Sequence, residues 1–207
     1  MPCTLPQDDH LVQIVDAALA DAERRSGDWL LCKPGCTPCC IGVFAIDQLD
    51  ALRLQDGLRL LDATNPERAA RVRNRARDSW TILSGQFPGD PQTGILGADN
   101  AAAAAFETFA DNEPCPALDP ECGTCDVYAW RPVTCRVFGP PVRSNGGLGI
   151  CELCYHGATT DEIVVCELKL DEANQLQETL VRDLECQGRV GATIVAFALA
   201  MQPSMQD

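Results

Sequence analysis

The segment CKPGCTPCC, residues 32–40, contains four cysteines and two prolines in nine positions. Pro34 and Pro38 exclude a continuous helix, because proline lacks a backbone N–H donor and restricts its own backbone, so the chain must turn here. The last two thiols, Cys39 and Cys40, are adjacent, and neighbouring residues can form a disulfide only with strain. The segment therefore predicts a turn that gathers thiols for a purpose other than cross-linking.

The cysteines of the 207-residue chain indicate metal binding more than disulfides, since there are 13 of them and most fall into three groups. The first residues, MPCTLPQDDHLVQ, lack the basic, apolar and small-residue order of a secretory signal, so we expect a cytoplasmic protein. Thiols stay reduced in that compartment, where clustered cysteines usually bind metal. The predicted metal ligands are Cys32, Cys36, Cys39, Cys40, Cys115, Cys122, Cys125, Cys135, Cys151 and Cys154.

The spacing of the cysteines leaves two kinds of metal open, because zinc and iron–sulfur centres both take four thiolates in tetrahedral surroundings. Two C-x-x-C pairs, Cys122 with Cys125 and Cys151 with Cys154, are typical of a closed zinc site. On the other hand, only two histidines occur, and the cysteines exceed the need of one zinc ion more than twofold. We therefore expect an iron–sulfur cluster as the cofactor, of the 4Fe-4S type, with zinc as the alternative.

The adjacent cysteines Cys39 and Cys40 also constrain the geometry of a metal site. Side chains of neighbouring residues in an extended or turning backbone project to opposite sides, so Cys39 and Cys40 are not expected to share one small tetrahedral site. Three explanations stay open at this point: a polynuclear iron–sulfur cluster, two metals that take one thiol each, or one ligand beside a buried structural cysteine.

Three segments in this order, CKPGCTPCC, PCPALD and CDVYAWRPVTCR, resemble the YkgJ-type cysteine-cluster family, which is described as a zinc- or iron-chelating domain with eight recurring cysteines. The likeness spans roughly residues 32–156. Cys122 and Cys166 stand outside its pattern, and the eighth recurring cysteine is either Cys151 or Cys154. A distant relative, flagellin lysine N-methylase, is similar in the CxxxCxxCC group and is associated with an iron–sulfur centre, which implies methyl transfer as one possible activity. The other seven recurring cysteines of the family, which the resemblance implies as ligands, fall on Cys32, Cys36, Cys39, Cys40, Cys115, Cys125 and Cys135.

The charge of the chain narrows the classes of partner. The net charge is −14, with 30 acidic and 16 basic residues, and such a chain would repel a phosphate backbone. We therefore expect no binding to nucleic acid. The longest apolar stretch, VGATIVAFALAM, is shorter than a membrane span, so no transmembrane helix is predicted. A protein partner is expected, and the oligomeric state stays open.

The pattern of apolar residues predicts a mostly α fold with an irregular, metal-organised cysteine-rich region and little β-structure. We expect Asp8 or Asp9 to cap the first helix, and Asn65 or Thr64 to cap the third, with Pro66 in its first turn. Within the cysteine-rich region only short pieces, CDVYAW and CRVFG, resemble strands. The expected organisation is a single domain 1–207 with an N-terminal helix 8–26, a metal-binding region 32–40 and 115–166, a helical insertion 44–110, and C-terminal helices 167–203.

Several charged residues allow two interpretations. Arg131 and Arg136 flank Cys135, where a guanidinium can offset the charge of a thiolate-bound metal or pair with a nearby acid such as Asp126. The third helix carries five arginines, which predicts either a solvated face paired with the protein's own carboxylates or a docking face for an acidic partner. His156 is a less favoured alternative ligand.

The predicted function is a metal-binding cysteine-cluster protein that carries one or more iron–sulfur clusters in a redox, structural or cluster-dependent role. A zinc-organised interaction module is one alternative. An iron–sulfur-dependent modifying enzyme, such as a protein methyltransferase, is another, although the sequence indicates no catalytic residues.

Overall fold

The structure is a computed structural model that describes residues 6–33, 35–144 and 147–201. Helices account for 55% of it and strands for 10%, which confirms the mostly α prediction. The α-helices are α1 (Pro6–Ser26), α2 (Gln48–Thr64), α3 (Pro66–Leu83), α4 (Asn100–Phe106), α5 (Val133–Arg136), α6 (Thr160–Val165), α7 (Asp171–Cys186) and α8 (Val195–Ala200). The strands are β1 (Ala45–Ile46), β2 (Gly89–Asp90), β3 (Ile95–Leu96), β4 (Leu118–Asp119), β5 (Thr124–Cys125), β6 (Val142–Ser144), β7 (Gly147–Gly149) and β8 (Thr193–Ile194).

The strands form four separate antiparallel pairs and no larger sheet in the described part of the chain. β1 pairs with β8, and this contact joins the start of α2 to the start of α8 across most of the sequence. β4 and β5 form a hairpin in which Leu118 is opposite Cys125. Pairs of this length cannot bury a face of their own, so they act as local clips on a helical frame.

The core has two main parts that meet at α2. One face of α2 packs against α3 and α8 through residues such as Leu54, Val72 and Leu199. Its other face packs against α1 and α7 through Leu49 and Leu180. Because α2 is buried on both sides, it is the central element of the helical frame.

A buried ion-pair network joins α1 to α2. The Arg53 guanidinium donates to both carboxylate oxygens of Asp8, with 2.9 Å from Nε to Oδ2, and also to Asp50. All three residues are buried. Asp8 lies inside α1 and its carboxylate pairs with Arg53, so the expectation that Asp8 caps the helix is wrong.

The starts of α2 and α3 follow local capping rules. Asp47 accepts a hydrogen bond from the backbone N–H of Asp50 at 2.8 Å, and Asn65 accepts one from Arg68 at 3.1 Å, with Pro66 next in the chain. Each side chain satisfies one backbone donor that the first helical turn leaves free. The predicted start of α3 is thereby confirmed.

The arginines of α3 mostly pair with acids of the same chain. Arg68 and Arg75 both bind the buried carboxylate of Asp126, and Arg73 pairs with Asp62 at 2.8 Å. These pairs support the interpretation of a helix whose cations neutralise the protein's own carboxylates.

The two segments that resembled strands have other structures. CDVYAW contributes only Cys125 to a strand and then forms a 3-10 helix at Tyr128–Trp130, while CRVFG begins inside α5. The reason is tertiary: the carboxylate of Asp50 accepts the backbone N–H of Val133 at 3.1 Å, which supports the first turn of α5. A local pattern of apolar residues cannot reveal that contact, because Asp50 and Val133 are far apart in the sequence.

No helix among the described residues has the length and apolar character that a membrane crossing requires.

We expect Arg53→Met to lower the free energy of unfolding by about 3–5 kcal/mol, because it leaves the buried carboxylates of Asp8 and Asp50 without their cation. Urea unfolding followed by circular dichroism measures the change. Arg24→Met is the matched control, since Arg24 pairs with Asp21 in solvent and its side chain is 72% exposed. Equal stability of the two variants would contradict the importance of the network.

Candidate metal centre

The segment of residues 32–40 contains a short 3-10 helix at Pro38–Cys40. Successive side chains in a 3-10 helix differ by about a third of a turn, not by half a turn as in a strand. The thiols of Cys39 and Cys40 interact with each other, and the interaction lowers the pKa of Cys39 and raises that of Cys40. The expectation that this pair projects to opposite sides is therefore wrong, and both sulfurs belong to the same neighbourhood.

Backbone pairing brings the second half of the loop to Cys115. The Cys115 N–H donates to the Cys40 carbonyl at 2.7 Å, and the Gly42 N–H donates to the Glu113 carbonyl at 2.9 Å. Ile41 and Pro114 form an antiparallel bridge between them. Thiols that are some 75 residues apart in the sequence are thus adjacent in space.

Five thiols form what we call the inner group. Cys40 interacts electrostatically with Cys115 and Cys125, and Cys135 interacts with Cys39, Cys115 and Cys125. Cys115 and Cys125 pack against the core formed by α2, α3 and α8. The members of the inner group are Cys39, Cys40, Cys115, Cys125 and Cys135.

Burial and mutual repulsion raise most pKa values in the inner group. Burial raises the pKa of Cys115 to about 12, and it also raises the pKa of Cys135, with the neighbouring thiols adding to the effect. Cys39 differs, because a hydrogen bond from Cys40 and the positive charge of Arg131 lower its pKa to about 6. The same hydrogen bond raises the pKa of Cys40. Several of these thiols cannot be anionic together unless a cation compensates them.

Four further thiols form the outer group, Cys32, Cys36, Cys151 and Cys154. The Cys154 thiol interacts by hydrogen bonds with the thiols of Cys32 and Cys151, and Cys36 acts electrostatically on Cys32. The Leu31 N–H donates to Cys154 Sγ at 3.4 Å. Partial burial and these neighbours raise the pKa of Cys32 to about 12. The outer group therefore joins the start of the 32–40 loop to the C-x-x-C turn.

Hydrogen bonds attach the C-x-x-C turn of the outer group to the C-terminal end of α1 and the residues that follow it. The Tyr155 N–H donates to the Trp29 carbonyl at 3.0 Å, and the Tyr155 hydroxyl is 2.6 Å from Ser26 Oγ, which itself donates to the Ala22 carbonyl at 2.7 Å. Tyr155 has a left-handed φ of 60°, which is unusual for a residue with a side chain. The tertiary contacts of Tyr155 hold this conformation and so orient Cys154.

A buried helical contact orients Cys135 of the inner group. Asp50 accepts the Val133 N–H and holds the four-residue helix α5, on which Cys135 lies. Burial raises the pKa of Asp50 to about 6, while the charge of Arg53 opposes that shift. The position of this thiol thus depends on the ion-pair network of the helical frame.

The two arginines that flank Cys135 have different roles. Arg136 is buried; it pairs with Asp16 at 2.8 Å and donates to the carbonyls of Ala129 and Arg131, so its contacts are structural. The charge of Arg131 acts on the thiols of Cys39 and Cys125. Asp126, the acid considered as a partner for these arginines, pairs with Arg68 and Arg75 of α3 instead.

The other cysteines and His156 are not members of either group. Cys122 is exposed, and its sulfur is 2.8 Å from Thr124 Oγ1. Cys166 lies beside the outer group, because it is buried in one cluster with Cys151 and Cys154, and it donates to the Arg25 carbonyl at 3.4 Å. His156 and Cys186 are exposed, and Cys3 lies outside the described residues.

The donor chemistry of the two groups fits zinc or iron, since each consists only of thiols, the ligands that both metals accept. Within the described residues, no three or more His, Cys, Asp or Glu side chains are already arranged as a finished metal site. The sulfurs are neighbours that have not converged on one point. Metal binding would complete such a site, as is usual where folding and metal uptake are coupled.

The chain was compared with curated proteins, with solved structures and with models of protein families. No curated protein and no solved structure matches it. The similarity to flagellin lysine N-methylase consequently stays a prediction. A family model does match over residues 31–154, more than half of the chain, and this range contains all ten predicted ligands. Its description is "Putative zinc- or iron-chelating domain". The chain therefore belongs to the CxxCxxCC family of cysteine-rich, zinc- or iron-chelating domains.

Proposed function

We propose that this chain is an iron–sulfur protein with two metal centres, one formed by the inner thiol group and one by the outer thiol group. The observation that carries the proposal is the division of nine cysteines into two spatial groups, each of which joins the 32–40 loop to distant parts of the sequence. Cys122, the tenth predicted ligand, is left out of both centres.

The composition of the groups favours iron over zinc. Both groups consist of thiols alone, and the two histidines whose imidazoles often complete zinc sites, His10 and His156, are exposed. The inner group contains five thiols, one more than either a tetrahedral zinc ion or a 4Fe-4S cluster takes, so the preference rests on the adjacent pair and not on the count. A cluster of several irons distributes its thiolates over several metal atoms and can use the adjacent pair Cys39 and Cys40. We expect the cluster type to be 4Fe-4S.

The proposed role is electron transfer to, or structural support of, a protein partner. Apolar side chains next to the outer group are exposed, with Leu31 55% and Leu153 43% accessible. A surface of this kind suits contact with another protein.

Anaerobic purification with metal analysis and an absorption spectrum tests the choice of metal. We expect a brown protein that contains iron and inorganic sulfide and has a broad visible absorption band, because thiolate-bound iron clusters absorb in this way. A colourless protein with stoichiometric zinc would instead establish the zinc alternative and refute the iron–sulfur proposal.

Single cysteine substitutions test the division into two centres. Cys115→Ser in the inner group and Cys151→Ser in the outer group are each expected to lower the metal bound per chain by about half, because each removes a ligand from one centre only. Cys122→Ser is the matched control and should retain the full metal content, since its sulfur lies outside both groups. The measurement is metal per chain, with circular dichroism as a check of folding.

Two results would contradict the division. One is complete loss of metal in both single variants while the helical content stays intact, which indicates one shared centre. The other is loss of metal in Cys122→Ser, which would restore Cys122 as a ligand.

Gly139 tests the outer centre without removing a thiol. A Cβ at this position would lie 2.7 Å from Cys32 Sγ, and the backbone has a φ of 117°, which favours glycine. We expect Gly139→Ala to displace the Cys32 sulfur and to lower the metal content. Gly157→Ala is the matched control, because its φ is 82° but no atom lies within 4 Å of the added Cβ. That variant should lose about 1–2 kcal/mol of stability and keep its metal. Equal metal content in the two variants would count against the outer centre.

A further inference from the structure

A surface cleft of about 410 Å³ lies between α1 and the segment that leads into α5. Val12, Asp16, Leu19 and Glu23 form the helical wall, and Tyr128 and Arg131 contribute to the opposite wall. None of these residues is a proposed metal ligand. The volume falls in the range of small-molecule sites, roughly 300–1,000 Å³.

Arg131 presents unused hydrogen-bond donors in this cleft. Its guanidinium carbon is 3.7 Å from the centroid of the Tyr128 ring, and Tyr128 is 63% exposed. The single hydrogen bond recorded for the Arg131 side chain within the described residues goes from Nη1 to the Tyr128 carbonyl at 3.4 Å. It forms no ion pair there. The remaining N–H donors have the planar, forked geometry that binds a carboxylate through two parallel hydrogen bonds.

The other charges in the cleft define the ligand further. Arg136 donates its hydrogen bonds to Asp16 and to two backbone carbonyls. Arg131 is therefore the cation that remains for a ligand. Glu23 is exposed on the wall of the same cleft and has no recorded partner among the described residues. Asp16 is paired with Arg136, so Glu23 opposes anion binding and the one cation that remains, Arg131, can offset a single negative charge of a ligand. Val12 and Leu19 offer apolar contact to the rest of the ligand.

The position of Arg131 also relates the cleft to the inner thiol group. The same guanidinium that lies over Tyr128 acts electrostatically on Cys39 and Cys125. A negative charge held by Arg131 would reduce the electrostatic effect of this guanidinium on those two thiols.

We propose that the cleft is a binding site for a small organic monocarboxylate with an apolar body, whose carboxylate is held by Arg131 stacked on Tyr128. This site goes beyond the proposed metal centres, and none of their proposed ligands lines it.

The test is calorimetric titration of the full, metal-loaded chain with 3-phenylpropionate. We expect saturable binding, much weaker binding of the neutral amide 3-phenylpropionamide, and weaker binding of the dicarboxylate phenylsuccinate. Arg131→Gln should weaken binding of 3-phenylpropionate by about tenfold or more, because a charge-assisted pair of hydrogen bonds is lost. Tyr128→Ala should weaken it too, and Arg24→Gln, at an exposed position of α1 outside the cleft, should leave it unchanged.

Metal content is measured on every variant, so that a failure of the metal centres is recognised separately. If Arg131→Gln also loses metal, the exposed position Tyr128 decides the question. The proposal is overturned if 3-phenylpropionate does not bind saturably, if the amide binds equally well, or if neither Arg131→Gln nor Tyr128→Ala weakens binding.

Discussion

The remaining structure depends on the two ion pairs that the buried guanidinium of Arg53 forms. This guanidinium neutralises Asp8 of α1 and Asp50 of its own helix, and Asp50 in turn supports the short helix that carries Cys135. A buried ion pair of this kind contributes little net stability, but loss of one partner is costly because a charge is left unpaired away from water. The helical frame and the inner thiol group are therefore not independent, since one carboxylate serves both.

The 32–40 loop connects the two thiol groups, as Arg53 connects the helices. Cys32 and Cys36 belong to the outer group, and Cys39 and Cys40 belong to the inner group, so one short segment contributes to both proposed centres. The 3-10 helix at the end of the loop brings the thiols of Cys39 and Cys40 close together. A backbone hydrogen bond joins the same helix to Cys115. Only Thr37 and Pro38 separate Cys36 of the outer group from Cys39 of the inner group.

The sequence predicted local features well and distant pairings poorly. The cap at Asn65 and the long helices follow from hydrogen bonds and apolar spacing within a few residues, so they could be recognised. The helix at Cys135 and the shared neighbourhood of Cys39 and Cys40 were missed, because the first needs Asp50 and the second needs a particular turn. Gly57 lies inside α2, where glycine ordinarily destabilises a helix, but its missing side chain makes room for the ring of Trp130, which would lie 2.4 Å from an added Cβ. The pairing of Asp126 with Arg68 and Arg75 has no signature in the sequence at all.

The sequence by itself determined the class of the protein: a mostly helical chain whose clustered thiols, with few histidines, bind zinc or iron. Those conclusions rest on composition and on short spacings, which any fold of this chain must respect. Only the tertiary structure decided which thiols are neighbours, because cysteines contribute the same chemistry wherever they occur and are distinguished only by contacts between distant segments. The cleft beside Arg131 was decided in the same way, since it exists only where α1 passes the segment before α5.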